Sequence, residues 1–560
     1  MKAREVWDAI VVGSGANGSV AAMELAERGH SVLVLEAGPE RPGYGDYGRP
    51  AFNLAKQLQR HYVTHRQESQ KRHPTYWTTN PNFFIDDVQN PYTTPDDAPF
   101  CWIRGRQVGG RTLAWDGVTP RFSEHEFKAA RLDSFGPEWP IGHADLAPHY
   151  SDIERLLGVH GSTEGLDALP DGAFLAPRPL SPGELVFKQR VEGKHRERRV
   201  LPSRGIRASR RPDKGERHTR LSAQATTLAR ALDTGRTQIR ANSMALRILY
   251  GADGKQASGV ELIDTVTREK HAVLARSVFV CGSTIESVRL LLASDDSQHP
   301  GGLGASSGAL GRYLMDHQAT NTYFYMPDVP DHGKSYELLG SDSLLIPRYQ
   351  NLGSQTRSHL RGYGFWGGIQ RMAFPHLMRR HKGMALGFLC ARSEALPHYD
   401  NRITLDPEVK DAWGHPVPHI DCRWRGEDLK IADAAQQDCL EMIELAGGRV
   451  ENLIDLVHMP VVGGIVRKMQ SDWLRSTPGL FVHEVGGARM GSRPDDSVVN
   501  PFCQVWEAPN VFVTDGACWP TSGWQNPTLT EMAITARAAR HASRILATSA
   551  RFEADAQPQS

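Results

Sequence analysis

The chain has 560 residues, 40% of them apolar and 23% charged, the proportions of a soluble globular enzyme rather than of a disordered or fibrous chain. That length exceeds what one hydrophobic core organises, so two or three structural units are expected. Lysine and arginine number 65 and aspartate and glutamate 64, a net charge of +1 that argues against nucleic acid or an acidic membrane surface as partner.

Seven cysteines (101, 281, 390, 422, 439, 503 and 518) lie far apart and are odd in number, which excludes a disulfide framework and fits a reducing compartment. No CxxC or close Cys/His pairing marks a zinc site. His415 and His419 are separated by Pro416 and Pro418, which forbid a shared helical face, and the pair His61 and His65 lacks a third ligand. No run approaches the ~20 apolar residues of a membrane helix. Met1–Trp7 leads straight into a strand without a basic-then-apolar signal segment, so a cytoplasmic location is expected. The basic stretches His195–Arg199 and Arg207–Arg211 read as solvated faces.

In chain order, residues 8–13 (Asp-Ala-Ile-Val-Val-Gly) predict a buried parallel strand, 16–28 a helix, and Ser31–Leu35 a second apolar strand ending at Glu36. Residues 39–100 are rich in Pro, Tyr, Asn and Asp and predict loops and short helices. Residues 168–217, dominated by Pro, Gly and Arg, predict another irregular segment. From Thr237 to Val280 the pattern is β-like, with a turn at Gly251–Gly254, and a helix follows from about Ser283 to Ala293. Short alternating runs over 320–425 predict a separate sheet. Residues 427–447 predict a helix, Val511–Gly516 a late strand, Thr528–Leu546 a closing helix, and the polar tail, 551–560, disorder.

The first three elements carry Gly13-x-Gly15-x-x-Gly18, with strand before it, helix after it and Glu36 eighteen residues on. The first glycine permits a tight turn, the second lets a pyrophosphate approach the backbone, and the third lets helix and strand pack closely. The helix N-terminus, from Ala16, offers N–H groups and a positive dipole end to phosphates. Glu36 stands where a carboxylate accepts from a ribose diol. The motif says only that a dinucleotide binds, and an NAD(P)-dependent dehydrogenase is compatible with it.

Further motifs resemble the glucose–methanol–choline (GMC) oxidoreductases over nearly the whole chain. Glu36-Ala37-Gly38 has the form typical of FAD-binding folds. Gly105-Arg-Gln-Val-Gly-Gly-Arg-Thr112 resembles the segment that wraps flavin and pyrophosphate, which implies cofactor contacts at Arg106, Gly109, Gly110 and Thr112. Trp139–Tyr150 is similar to a segment of the sugar-oxidising branch, and Val278–Leu292 to the strand–Ala-Gly–helix segment near the cofactor, with Cys281 for the usual alanine before Gly282. Leu310–His317 matches a segment in which His317 is structural or cofactor-proximal. His483–Gly491 and Gly523–Thr530 are similar to the paired active-site segments, with Asp515-Gly516 between them.

The resemblance implies an α/β fold: a Rossmann-type FAD-binding domain (1–45, 100–125, 220–320 and 485–550) with an interleaved α+β substrate domain on a mostly antiparallel sheet (46–99, 126–219 and 321–484). It implies FAD, with Met244, Asn526 and Thr528 among the contacts, and hydride transfer from an alcohol to flavin N5 with His483 as base and Asn526 as its partner. Pyranose oxidases carry a flavinylated histidine where this chain has Ala114, so non-covalent FAD is expected. The branch implies a sugar or glycoside secondary alcohol, at pyranose C3 as one candidate, or a sugar acid such as gluconate. Tyr363, Phe365, Trp366, Gln370 and Arg371 are the candidate substrate wall. The acceptor stays open among oxygen, quinone and cytochrome. A small subunit, which in some relatives carries the export signal to the periplasm, and a homo-oligomer are both compatible.

Overall fold

The computed structural model describes residues 6–41, 65–72, 81–207, 222–251, 254–331, 340–371, 379–456 and 477–555. His61 and positions 208–211 and 556–560, on which expectations above rest, lie outside them.

Strand β1 (Val6–Val12) and strand β2 (Val32–Leu35) are parallel, Val11 opposite Val34, and helix α1 (Ala16–Ala26) joins them. All four residues of β2 are buried, as a parallel strand covered on both faces requires. The other strands of this sheet come from far along the chain: β3 (Thr237–Arg240), β4 (Ser243–Tyr250), β5 (Ala257–Asp264) and β6 (Lys270–Val280). β6 pairs with β1 in parallel, and β3 with β2. β5 and β4 extend the sheet antiparallel from β6.

The second sheet is antiparallel, built on β7 (Gln318–Pro330), β8 (Leu344–Ile346), β9 (Tyr363–Ile369) and β10 (Met384–Ser393). Its order is Arg449–Val450, β7, β10, β9, β8, Leu201–Pro202. Strands β11 (Arg402–Lys410) and β12 (Pro416–Asp421) form a separate ribbon, so His419 sits on a strand, its Nδ1 2.9 Å from Thr93 Oγ1. The last strand, β13 (Ala508–Val513), returns to the first sheet and pairs in parallel with β6. The mixed α/β architecture is the expected one.

Five further helices frame the sheets: α2 (His143–Leu157), α3 (Pro182–Lys194), α4 (Thr284–Ala293), α5 (Gly426–Leu445) and α6 (Thr528–Asp555). One face of the second sheet buries Phe324, Tyr363, Phe365 and Leu389 against Phe187 and Val191 of α3 and Ile431 and Met442 of α5. Helix α6 lies along α1: Arg540 pairs with Glu24 at 2.8 Å, and Asn17 Nδ2 donates to Glu531 Oε2 at 2.8 Å.

Three expectations need correction. Residues 168–217 are not irregular throughout, because α3 occupies 182–194. Its start is encoded by Ser181-Pro182-Gly183-Glu184, where Ser181 accepts from Glu184 N, Glu184 accepts from Ser181 N, and Pro182 takes the first turn. The Pro and Gly content that suggested a loop is the helix's own start signal. The closing helix runs on to Asp555, beyond the Leu546 expected for its end. The basic run at 195–199 is not merely solvated either: Arg198 is buried and paired with Asp438 and Glu441. All seven cysteines are free and buried.

The cap of α3 gives a direct test. Ser181→Ala removes an acceptor for Glu184 N and a donor to Ile369 O. It is expected to lower stability by about 1 kcal/mol, read as a shift of the urea midpoint at unchanged slope.

Candidate active site and cofactor cavity

The parallel strands β1 and β6 end side by side at Val12 and Val280, and a cavity of about 1370 Å3, open solvent included, lies beyond them. Its wall holds Gly13, Gly15, Ala16, Glu36, Ala37, Arg106, Gly110, Thr112, Met244, Gly282 and Thr528, each expected at the cofactor. The local backbone explains the glycines. Gly13 has φ +96°, and a Cβ there would meet Cys281 O at 2.3 Å. Gly18 is off the wall; a Cβ on it would stand 1.9 Å from Gly13 O, so it sets the approach of α1 to the turn.

The cavity fits a dinucleotide on three counts. The N-cap of α1 is Gly15, with no side-chain cap and no acidic residue in the first turn, so the helix's positive end faces the cavity unneutralised. Glu36 is held by Ser14 N, Ser14 Oγ and Gly38 N, which aim it while leaving lone pairs for a diol; burial pushes its carboxyl upward against those bonds. Asn17 Oδ1, just inside the helix, is buried without a partner. Arg106 bonds Asn90 Oδ1 and Met244 Sδ, placing its cation near the Glu36 end.

Gly109, Asp515 and Gly516 stand one layer behind the wall. Gly109, at φ +88°, donates to Ser14 Oγ. Asp515, pushed up to about 6 by burial, accepts from Ser287 Oγ, and Ser287 in turn accepts from Gly282 N. Ser14, Asn17, Arg111, Glu286, Ser287 and Glu531 also line the cavity and were not expected. Asn17 sits inside the glycine motif and was legible there; Glu286 and Glu531 arrive by tertiary packing and leave no local signal.

His483 and Asn526 are not on this wall, but residues next to them in the chain are tied to it. Arg111 on the wall donates to Val482 O and Glu484, and Thr528 on the wall follows two residues after Asn526. Val482 has φ +57°, unusual for a β-branched residue and a sign of backbone strain directly before His483. The buried carboxylate of Asp316 accepts from His317 N (2.8 Å), Gly479 N (2.8 Å) and His483 N (3.1 Å), drawing the two histidine segments together. Burial and the neighbouring Glu484 push the Asp316 carboxyl upward.

The side chains then form one chain: Arg392 Nη1 to Asn526 Oδ1, Asn526 Nδ2 to His483 Nε2 (3.3 Å), His483 Nδ1 to His317 Nδ1 (2.7 Å), and His317 Nε2 to Gly523 O. Its ends fix its direction. Arg392 can only donate and Gly523 O can only accept. Burial pushes His317 down to about 4, so at neutral pH it is uncharged, with its one proton on Nε2 toward Gly523 and a lone pair on Nδ1. His483 Nδ1 must then donate, and a neutral His483 holds its lone pair on Nε2. From the other end, Arg392 turns Asn526 so that its amide N–H faces that lone pair. His317, expected to be structural or cofactor-proximal, is in direct contact with His483.

The expected substrate wall divides. On β9, Tyr363 and Phe365 point into the core beneath the sheet, Tyr363 donating to Asp438 Oδ2 at 2.6 Å. Gln370 accepts from Gly183 N and donates to Pro330 O, and Arg371 is paired with Glu184 at 2.6 Å. Alternation along a strand puts Trp366 on the opposite face, where a Cβ on Gly364 would meet Trp524 at 2.2 Å and the Arg392 guanidinium lies 5.2 Å from the Trp366 ring. On that face Phe388 packs against Trp366 and Tyr323 against Phe388, and Arg392 links it to Asn526. Arg392 was missed, although it lies opposite Gly364 in the β9–β10 register.

Residues 8–120 match the FAD dependent oxidoreductase family and 397–535 the GMC oxidoreductase family, the second match covering both β11–β12 and the His483 and Asn526 segments. The C-terminal part of the chain is a GMC oxidoreductase domain. The chain's cofactor is FAD. Among GMC-like relatives, the chain is 28% identical to 2-methyl-1,2-propanediol dehydrogenase of Mycolicibacterium austroafricanum over 96% of its length and 95% of the relative's. It is 26% identical to C-glycoside 3-oxidase of Arthrobacter globiformis over 95% and 94%. Pyridoxine 4-oxidase from Mesorbium loti shares the fold, with TM-score 0.60 at 19% identity over 96% of this chain and 99% of that one. No helix among the described residues is long and apolar enough to cross a membrane.

Gly18→Ala tests the cradle. The added Cβ forces α1 away from Gly13 O, and the purified protein is expected to carry less flavin per polypeptide, read from its absorbance ratio, and to melt at lower temperature.

Proposed function

We propose that this protein oxidises a secondary alcohol of a sugar or glycoside to a ketone, with His483 as the base and Asn526 as the hydrogen-bond donor that orients the hydroxyl. The observation that carries the reading is the one-way polarity of the chain from Arg392 to Gly523, which leaves His483 Nε2 as an acceptor facing Asn526. A carbinol C–H is not acidic, so oxidation needs a proton taken from oxygen and a hydride from carbon. FAD, when bound, supplies the acceptor for that hydride. A hydroxyl replacing the Asn526 contact meets the His483 lone pair as its proton leaves and the Asn526 N–H as its oxygen gains charge.

The relative named C-glycoside 3-oxidase makes pyranose C3 one candidate site on a neutral sugar or glycoside. A sugar acid is the second reading, favoured by the Arg392 cation next to Asn526. The same reading assigns the first sheet to the FAD-binding domain, over the segments named above, and the second to substrate. Non-covalent attachment is supported by Ala114, which offers no nucleophile and packs against Phe83, Phe84 and Ile103.

His483→Ala is expected to slow anaerobic flavin bleaching by the best substrate by ~10²–10⁴-fold; a near-normal single-turnover rate removes the assignment. A panel of sugars, glycosides and sugar acids names the substrate, and reoxidation by oxygen against a dye separates oxidase from dehydrogenase. After acid precipitation the flavin is expected in the supernatant; yellow colour kept by the washed pellet overturns non-covalent attachment.

A further inference from the structure

Among the described residues ten arginines are buried, and nine of them stand within 4.0 Å of an aspartate or glutamate carboxylate, as Arg371 does with Glu184 and Arg348 with Glu394. The tenth is Arg392. It is 7% exposed, and among the described residues no carboxylate pairs with it. Its partners are the Asn526 amide oxygen, the neutral Cys390 thiol and the face of Trp366, none of them a counter-charge, and its Nε is buried without a hydrogen bond. A buried guanidinium stays charged, because its proton is held too tightly to be given up. A buried charge without a counter-charge is unfavourable, and elsewhere in this protein the fold supplies the partner. Among the described buried arginines it withholds one only beside the candidate catalytic pair.

We propose that the substrate brings the missing charge: it is a sugar acid, with its carboxylate against Arg392 and its reacting hydroxyl at His483 Nε2 and Asn526 Nδ2. The inference rests on the reading of His483 and Asn526 as the alcohol-oxidising pair. One amide group separates the guanidinium from His483 Nε2. The carboxylate therefore lies close in the molecule to the carbon oxidised, one or two bonds away, as in an aldonate at position 2 or a uronate at position 4. In the reaction the carbinol carbon loses two hydrogens and two electrons. One hydrogen leaves its oxygen as the proton taken by His483, and the other leaves carbon with the electron pair for the bound FAD. The carboxylate is unchanged and the product is an oxo acid. The Trp366 ring, stacked under the guanidinium, covers one side of the anchor and offers its remaining face to the sugar.

The test compares matched pairs on the holoenzyme under anaerobic conditions, gluconate against glucitol and glucuronate against glucose, for the wild type, Arg392→Gln and Arg392→Lys. The wild type is expected to reach half-maximal flavin bleaching at a concentration at least about tenfold lower for the acid of each pair, with the advantage shrinking as salt is added. Arg392→Gln abolishes that advantage, and Arg392→Lys restores part of it. Equal half-saturation for acid and neutral partner in the wild type, or an equal loss for both in Arg392→Gln, overturns the proposal and leaves Arg392 as a positioning residue for Asn526. Calorimetric titration with propionate, which carries the charge without a hydroxyl, is independent of turnover. Heat of binding seen in the wild type and lost in Arg392→Gln supports the anion site even where no alcohol bleaches the flavin, an outcome that removes the underlying alcohol-oxidising reading. No binding heat in the wild type overturns the anion site.

Discussion

The sheet that carries the cofactor cavity depends on one pairing, that of β1 with β6. β1 comes from the first dozen residues and β6 from near residue 280, and their parallel registry brings Val12 and Val280 to the same edge. Loops leaving that edge supply the glycine turn on one side and Gly282 and Ser283 on the other. β13 then adds to the outer edge of β6 and delivers Asp515 behind the cavity wall. A cavity at the carboxyl ends of parallel strands, between loops that depart in opposite directions, is where an open α/β sheet leaves room for a ligand.

The chemistry is placed by a different device. Asp316 gathers backbone N–H groups from 317, 479 and 483, and together with the Met315–Val485 bridge fixes the spacing of the two segments. Side chains that are each ambiguous alone then settle one another. An imidazole has two tautomers and an amide two orientations, yet a donor-only arginine and an acceptor-only carbonyl at the ends permit a single arrangement. The lone pair on His483 Nε2 is thus set before any substrate arrives, which is the kind of preorganisation that removes a reorganisation step from a reaction.

Much of this was legible in the sequence where the physics is local. The β1–α1–β2 unit carries its own turn glycines, helix start and terminal carboxylate within thirty-odd residues, and the cavity wall follows from it. Helix α3 was equally local, but its Ser-Pro-Gly-Glu start was masked by a composition that also describes loops. Along β9 the aromatic residues were grouped by type, whereas the strand sorts them by parity: Tyr363 and Phe365 face the core and Trp366 lies on the opposite face, beside Arg392. Arg392 illustrates what was out of reach. Its residue type is ordinary for a strand end, and its meaning comes from the partner it lacks, which only the assembled neighbourhood reveals.

The clasp between α1 and α6 carries a consequence for how the protein is made. Asn17 and Glu531, 514 positions apart, meet at the mouth of the cofactor cavity, and Arg540 fastens the same two helices. A ribosome delivers the glycine turn first and its cover last, so throughout most of synthesis β1 waits with one edge unpaired and its helix uncovered. The nascent chain has no finished pocket to offer a flavin. The pocket is complete only once α6 has been made, and a chain cut short before it carries its earliest motif with nothing to close over it.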